Sequence, residues 1–167
     1  MRTALATVPG VLSLLMSAAM AGTFFGFSVG VMPGLNATPG AASIAAMQGI
    51  NQRIQNPLFL AAFMLMPVAA AVAGIALWSM DRRAAALLFF AAAAVYVVGA
   101  FLPTVAVNVP MNDALARLRI PSDAADAARE WTRYSGRWTA WNHVRALFST
   151  AAVALVAAGF WAYGRGR

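Results

Sequence analysis

The chain has no cysteine and no lysine, and only one histidine, His143. The first absence excludes disulfides, thiolate metal sites and cysteine nucleophiles. The single histidine excludes a multi-histidine metal or haem site within one subunit. Charge as a whole is scarce: 10% of the 167 residues are Asp, Glu, Lys or Arg, against 62% that are hydrophobic. It is also confined, because no such residue occurs in 3–52, 54–80, 84–112 or 146–164. A soluble domain scatters charge every few residues, since each helix or strand keeps one wet face. Apolar runs of about 20 residues instead match the ~30 Å hydrocarbon core of a bilayer at ~1.5 Å per helical residue. The fold class that follows is all-α: a bundle of four transmembrane helices with short amphipathic helices in the two longer loops.

This length allows one unit, a single integral membrane domain over 1–167 with spans about 8–32, 58–80, 84–107 and 138–163. At the N-terminus, Ala19-Met20-Ala21 before Gly22 imitates a signal-peptide cleavage site. The apolar run continues to Met32, so an uncleaved first span is expected. Gly22, Gly26 and Gly30 recur every four residues on one face of that span. Helix packing within one subunit is the simpler reading of this stripe, and homo-oligomerisation is the other. Pro33-Gly34 and Pro39-Gly40 mark a turn region. Pro67 is expected to kink the second span. Asn108 followed by Pro110 reads as the start of a new helix, and Pro121-Ser122-Asp123 as another.

The net charge of +7 comes entirely from arginine. Nucleic-acid binding is rejected, because Arg2, Arg82, Arg83, Arg165 and Arg167 sit at span ends, where arginine acts as a topology signal. They share one side if both termini are cytoplasmic in a cell membrane. The loops 33–57 and 108–137 then lie outside, and 113–137 holds nine charged residues.

Polar residues that interrupt apolar runs carry the functional signal. On a helix continuous from Trp131, the residues Trp131, Tyr134, Ser135, Trp138, Asn142, Arg145 and Ser149 fall within about a third of the circumference, with Trp141 at the edge. Arginine at membrane depth costs ~2.5–3.5 kcal/mol on insertion scales, so its head must reach protein, water or the interface. Asn142 and Arg145 are therefore expected to face the bundle interior as a polar pocket. For Trp138 and Trp141 taken alone, an interfacial aromatic belt is the simpler reading. His143 points about 100° away from Asn142 and is a poor general base on geometry. Asn108 and Asn112 form a second polar set, and Gln48, Asn51 and Asn56 a third, all at the same membrane face. Asn108, Asn142 and Arg145 are expected to pair across helices, because an unpaired buried amide costs ~1–3 kcal/mol.

Three ordered motifs are Met47-Gln48-x-Ile50-Asn51-x-x-Ile54-x-Asn56-Pro57, Asn108-Val109-Pro110-x-Asn112, and Trp131-x-x-Tyr134-x-x-x-Trp138-x-x-Trp141-Asn142-x-x-Arg145. Together with Pro33-Gly34-Leu35, they make nearly the whole chain resemble the anthrone oxygenase-like family of small integral membrane proteins. The resemblance implies a four-helix membrane bundle. From the family's characterised fungal members, it implies oxidation of polyketide anthrones to anthraquinones by molecular oxygen, with no established cofactor. On that basis Arg145 would stabilise the substrate enolate, Asn108 and Asn142 would orient it, and Trp138 would stack on it. Trp141, Asn112, Asn51, Gln48 and Tyr134 would complete a binding site for a hydrophobic small molecule or lipid. No carboxylate is visible in the spans, so water or an acid such as Glu130 would have to take the proton. Two competitors stand beside this reading. One is a non-enzymatic binding or accessory protein whose polar cluster locks helices together. The other is a small transporter, disfavoured because no span carries an acidic relay residue.

Overall fold

The computed structural model describes residues 2–165; Met1, Gly166 and Arg167 lie outside them, as does the side chain of Arg2. Among the described residues there is no strand. Four rods are long and apolar enough to cross a membrane: α1 (Thr3–Asn36), α3 (Pro57–Trp78), α4 (Arg83–Arg117) and α5 (Ala124–Arg165). A shorter helix, α2 (Gly40–Ile54), lies in the first long loop. The protein is thus a four-helix membrane bundle. Four successive rods place Thr3, Arg165 and the tight α3–α4 turn at one end. The second end carries α2 and the amphipathic stretches that continue α4 and begin α5.

Three rods extend past the expected spans, among them α5, which begins at Ala124, well before Trp138. α1 runs through Pro33 to Asn36, and α4 runs through Asn108 and Pro110 to Arg117. Asn108 is not a helix cap: its φ and ψ are −69° and −38°, and its side chain caps nothing. The reason lies in how proline is absorbed. A proline ring clashes with the carbonyl four residues back and offers no N–H. Here the helix widens into a π turn at Phe27–Val31, Val97–Phe101 and Thr104–Asn108. Each widened turn ends two residues before a proline: Pro33, Pro103 and Pro110. The chain relaxes there without breaking.

Pro67 is accommodated differently. Its missing N–H orphans the carbonyl of Phe63, and the Tyr96 hydroxyl donates to that oxygen at 3.2 Å from α4. α3 therefore continues unbroken through Pro67. A freed backbone carbonyl in a membrane helix must find a neighbour, and Tyr96 supplies one.

The main core runs along the four rods and includes Phe89, Tyr96, Met66, Ala70, Ala152 and Val156. Glycines admit the aromatic rings: a Cβ on Gly99 would fall 1.8 Å from the Phe148 ring. At the end that carries α2, Met32, Ile44, Met47, Leu115, Trp131, Tyr134 and Trp138 form a second cluster. Gln48 ties it together, donating to the carbonyls of Leu115 (2.8 Å) and Leu118 (3.0 Å) at the end of α4. Trp131 Nε1 donates to Asn36 Oδ1 at 2.9 Å. Asp123 starts α5 by accepting from the Asp126 amide at 2.9 Å.

The glycine stripe of α1 does not pack within the subunit. A Cβ on Gly22, Gly26 or Gly30 would meet no atom within 4 Å. These glycines face outward because Met20, Phe24 and Ser28 occupy the inward face.

Candidate functional site

All seven residues of the α5 stripe, Trp131 through Ser149, are buried. Asn142 is 0% and Arg145 5% exposed. Arg145 does not reach the surface, so it must be solvated by protein. Its Nη2 donates to Asn142 Oδ1 at 2.8 Å, and its Nη1 to Thr104 Oγ1 on α4 at 3.3 Å. The guanidinium carbon lies 4.5 Å from the Phe24 ring centre and 5.0 Å from that of Trp138. Among the described residues no carboxylate forms an ion pair with it. Its buried Nε has no hydrogen-bond partner. A cation held by two rings and two neutral acceptors remains electrostatically unbalanced.

Asn142 is fixed from the other side. Its Nδ2 donates to the Phe24 carbonyl at 2.7 Å and to Ser28 Oγ at 2.8 Å. Ser28 belongs to the widened turn of α1, and Thr104 opens the widened turn of α4. The Arg145–Asn142 pair thus bridges three rods at the places where two helices depart from α geometry. Such turns recur at functional sites because they redirect side chains and release carbonyls.

Phe24, Thr104, Asn142 and Arg145 form the floor of a cleft of about 230 Å³. Its walls include Phe24, Phe27, Phe59, Phe63 and Trp138. Leu60, Met64, Val105 and Val109 are both lining and exposed, so the cleft opens sideways onto the apolar surface between α3 and α4. Asn51, Gln55, Asn112 and Asp113 line its mouth and also border a separate polar groove with Gln48 and Gln52. The site is an aromatic slot with a cationic floor, an apolar side door and a wet mouth.

Of the residues singled out in the sequence, Arg145, Asn142, Trp138, Asn112 and Asn51 line this cleft. Asn112 Oδ1 accepts from Trp138 Nε1 at 2.8 Å and from the Tyr134 hydroxyl at 2.9 Å. Tyr134 therefore supports Asn112 from behind, with Asn51 Nδ2 a further 3.5 Å donor to its oxygen. Asn108, Trp141, Gln48, Glu130 and His143 are not brought to the cleft. Asn108 pairs with neither Asn142 nor Arg145: its Nδ2 donates to the Trp138 carbonyl at 3.3 Å, and its Oδ1 is buried without a partner. The widened turn at Thr104–Asn108 turns it toward α5, leaving Thr104 to meet Arg145. Trp141 is 37% exposed on the outer surface, where a belt role suits it. Trp138 is buried and does not belong to a belt. Gln48 is committed to the end of α4. Glu130 pairs with Arg133 at 2.9 Å and borders a different pocket. His143 is exposed. Among the described residues no three His, Cys, Asp or Glu side chains gather as a metal site. Sequence reasoning passed over Ser28, Thr104, Phe24 and Asp113. Ser28 and Thr104 carried a signal as lone hydroxyls in apolar runs.

The sequence profile of the anthrone oxygenase family matches residues 56–155, which is more than half of the chain. The protein belongs to the anthrone oxygenase family. The matched segment holds α3, α4 and most of α5, and with them Thr104, Asn112, Asp113, Trp138, Asn142 and Arg145. No curated protein and no solved structure matches the chain significantly. Within the anthrone oxygenase frame, Phe24, Ser28 and Asn51 come from the part of the chain before the matched segment.

Proposed function

We propose that this protein is a membrane-embedded oxygenase that oxidises a flat aromatic substrate of anthrone or quinol type with dioxygen. The observation that carries this reading is the buried Arg145 guanidinium without a counter-ion on the floor of an aromatic cleft. A cation kept there at an insertion cost of ~2.5–3.5 kcal/mol is suited to a negative charge that arrives with, or develops on, a ligand. The family membership supplies the reaction class.

Loss of a methylene proton from an anthrone gives an enolate whose oxygen carries the charge. Arg145, with its free Nε–H and its two held amino groups, would stabilise that oxyanion. Asn142 would fix the guanidinium, and Trp138, Phe24 and Phe63 would flank the rings. The carbon then transfers electrons to dioxygen and bonds to it, forming a hydroperoxide. Loss of the remaining hydrogen on that carbon and cleavage of the O–O bond release water and leave a second carbonyl. One dioxygen is consumed for one quinone and one water. An apolar substrate dissolved in the bilayer would enter by the side door between α3 and α4. The arginine-rich end, with Arg82, Arg83 and Arg165, is taken as cytoplasmic in the cell membrane.

A second reading has its own support. Arg145 and Asn142 join α1, α4 and α5, so the cluster also suits a binding or accessory protein whose polar groups hold helices in register. The open glycine face of α1 leaves room for a second copy under either reading. Oxygen uptake by purified protein with anthrone, matched by quinone formation, separates the two. The oxygenase reading expects uptake in the wild type and its loss in Arg145→Met. The accessory reading expects none in either.

A further inference from the structure

The proposed oxidation needs a group that accepts the methylene proton, and the buried spans offer no carboxylate. We propose that Asp113 is that general base; the inference rests on the oxygenase reading above. Asp113 is the only carboxylate among the residues that line the cleft. Among the described residues it has no ion-pair partner, whereas Glu130, Asp126 and Asp81 are each paired with an arginine. Its place is set by its neighbour: Asn112 is held by two donors from α5, the Tyr134 hydroxyl and the Trp138 indole. Asp113 is thereby positioned at the mouth while its side chain stays exposed.

The arrangement suits the chemistry. Asp113 and Arg145 line one cleft. Trp138 touches both ends of it, with its indole N–H on Asn112 and its ring centre 5.0 Å from the Arg145 guanidinium carbon. A ketone whose oxygen rests at Arg145 therefore directs its methylene toward the mouth. The Asp113 carboxylate takes the proton, and the electron pair of the broken C–H bond moves through the ring to the oxygen facing Arg145. A comparable division, a carboxylate base at the carbon and hydrogen-bond donors at the enolate oxygen, is known in enzymes that abstract a proton next to a carbonyl. Asp113 also borders the polar groove lined by Gln48, Gln52 and Gln55, which gives its proton a route to water. Sequence reading assigned Asp113 only to a charged, wet segment.

Proton abstraction can be tested apart from oxidation. Anthrone is incubated anaerobically with the full-length protein in deuterated buffer, and exchange of its methylene hydrogens is followed by mass spectrometry. Binding is followed separately by quenching of tryptophan fluorescence. The wild type is expected to accelerate exchange, Asp113→Asn to lower it about 100-fold or more with binding retained, and Asp113→Glu to restore part of it. If Asp113→Asn binds anthrone and exchanges it at the wild-type rate, Asp113 is not the base, and the oxygenase reading survives. If the wild type binds anthrone without accelerating exchange, both readings fall together.

Discussion

Replacing Arg145 by methionine separates a charge kept for chemistry from a charge kept for structure. Methionine has a similar length and removes the desolvated cation, whose insertion cost is ~2.5–3.5 kcal/mol. Against that relief stand two lost hydrogen bonds, to Asn142 and Thr104, each worth roughly 0.6 kcal/mol in membrane helix packing. Contact with Phe24 and Trp138 is largely preserved, because a thioether also packs well on aromatic rings. The Asn142 oxygen is left without its donor, at ~1–3 kcal/mol. Gains and losses are of the same size, so stability should stay within about 1 kcal/mol of wild type. Turnover should not: removing a preorganised oxyanion donor lowers kcat by roughly 100- to 1,000-fold. The assays are denaturant unfolding in detergent micelles and oxygen uptake with anthrone. A loss of more than about 3 kcal/mol in stability would refute the reasoning, because it would show that the guanidinium binds the rods together.

Further outcomes follow from individual contacts. Tyr96→Phe leaves the Phe63 carbonyl unpaired opposite Pro67, and should destabilise the protein by about 1 kcal/mol while leaving oxygen uptake unchanged. Gly99→Ala forces a Cβ into the Phe148 ring and should cost about 1–3 kcal/mol or more in the same unfolding assay. Gly26→Ala, whose Cβ meets nothing, should be neutral or stabilising by up to about 1 kcal/mol. His143→Ala should leave oxygen uptake at the wild-type level, since the ring is exposed outside the cleft. A tenfold loss there would mean that the chemistry lies elsewhere.

The membrane class and the inward stripe of α5 were legible because both rest on local patterns: run length against bilayer thickness, and a 3.6-residue period along an uninterrupted helix. Directions beyond the widened turns of α1 and α4 were not legible. A π turn adds one residue and rotates everything beyond it by about 100°. Asn108, expected to pair with Asn142 and Arg145, turns to the Trp138 carbonyl instead, while Thr104 faces Arg145. Prolines misled in the same way. Pro33 and Pro110 read as breaks, yet each is absorbed by a widened turn two residues earlier, and Pro67 by the distant Tyr96 hydroxyl. Such compensation joins residues far apart in sequence, so no local pattern announces it. Gln48 illustrates the same limit: its spacing gave a polar face, and only the fold revealed that it caps the end of α4.

The central claim is that a flat aromatic ketone occupies the cleft above Arg145. Anthraquinone, the expected product, abstracts hydrogen on irradiation and attaches to neighbouring side chains, so it can report its own position. Protein reconstituted in lipid nanodiscs is irradiated with it, and the modified peptides are located by mass spectrometry. The account predicts adducts on Phe24, Phe63, Met64 or Trp138 that excess anthrone suppresses under anaerobic conditions. Adducts confined to lipid-facing residues such as Leu58 and Leu147, unaffected by anthrone, would contradict it.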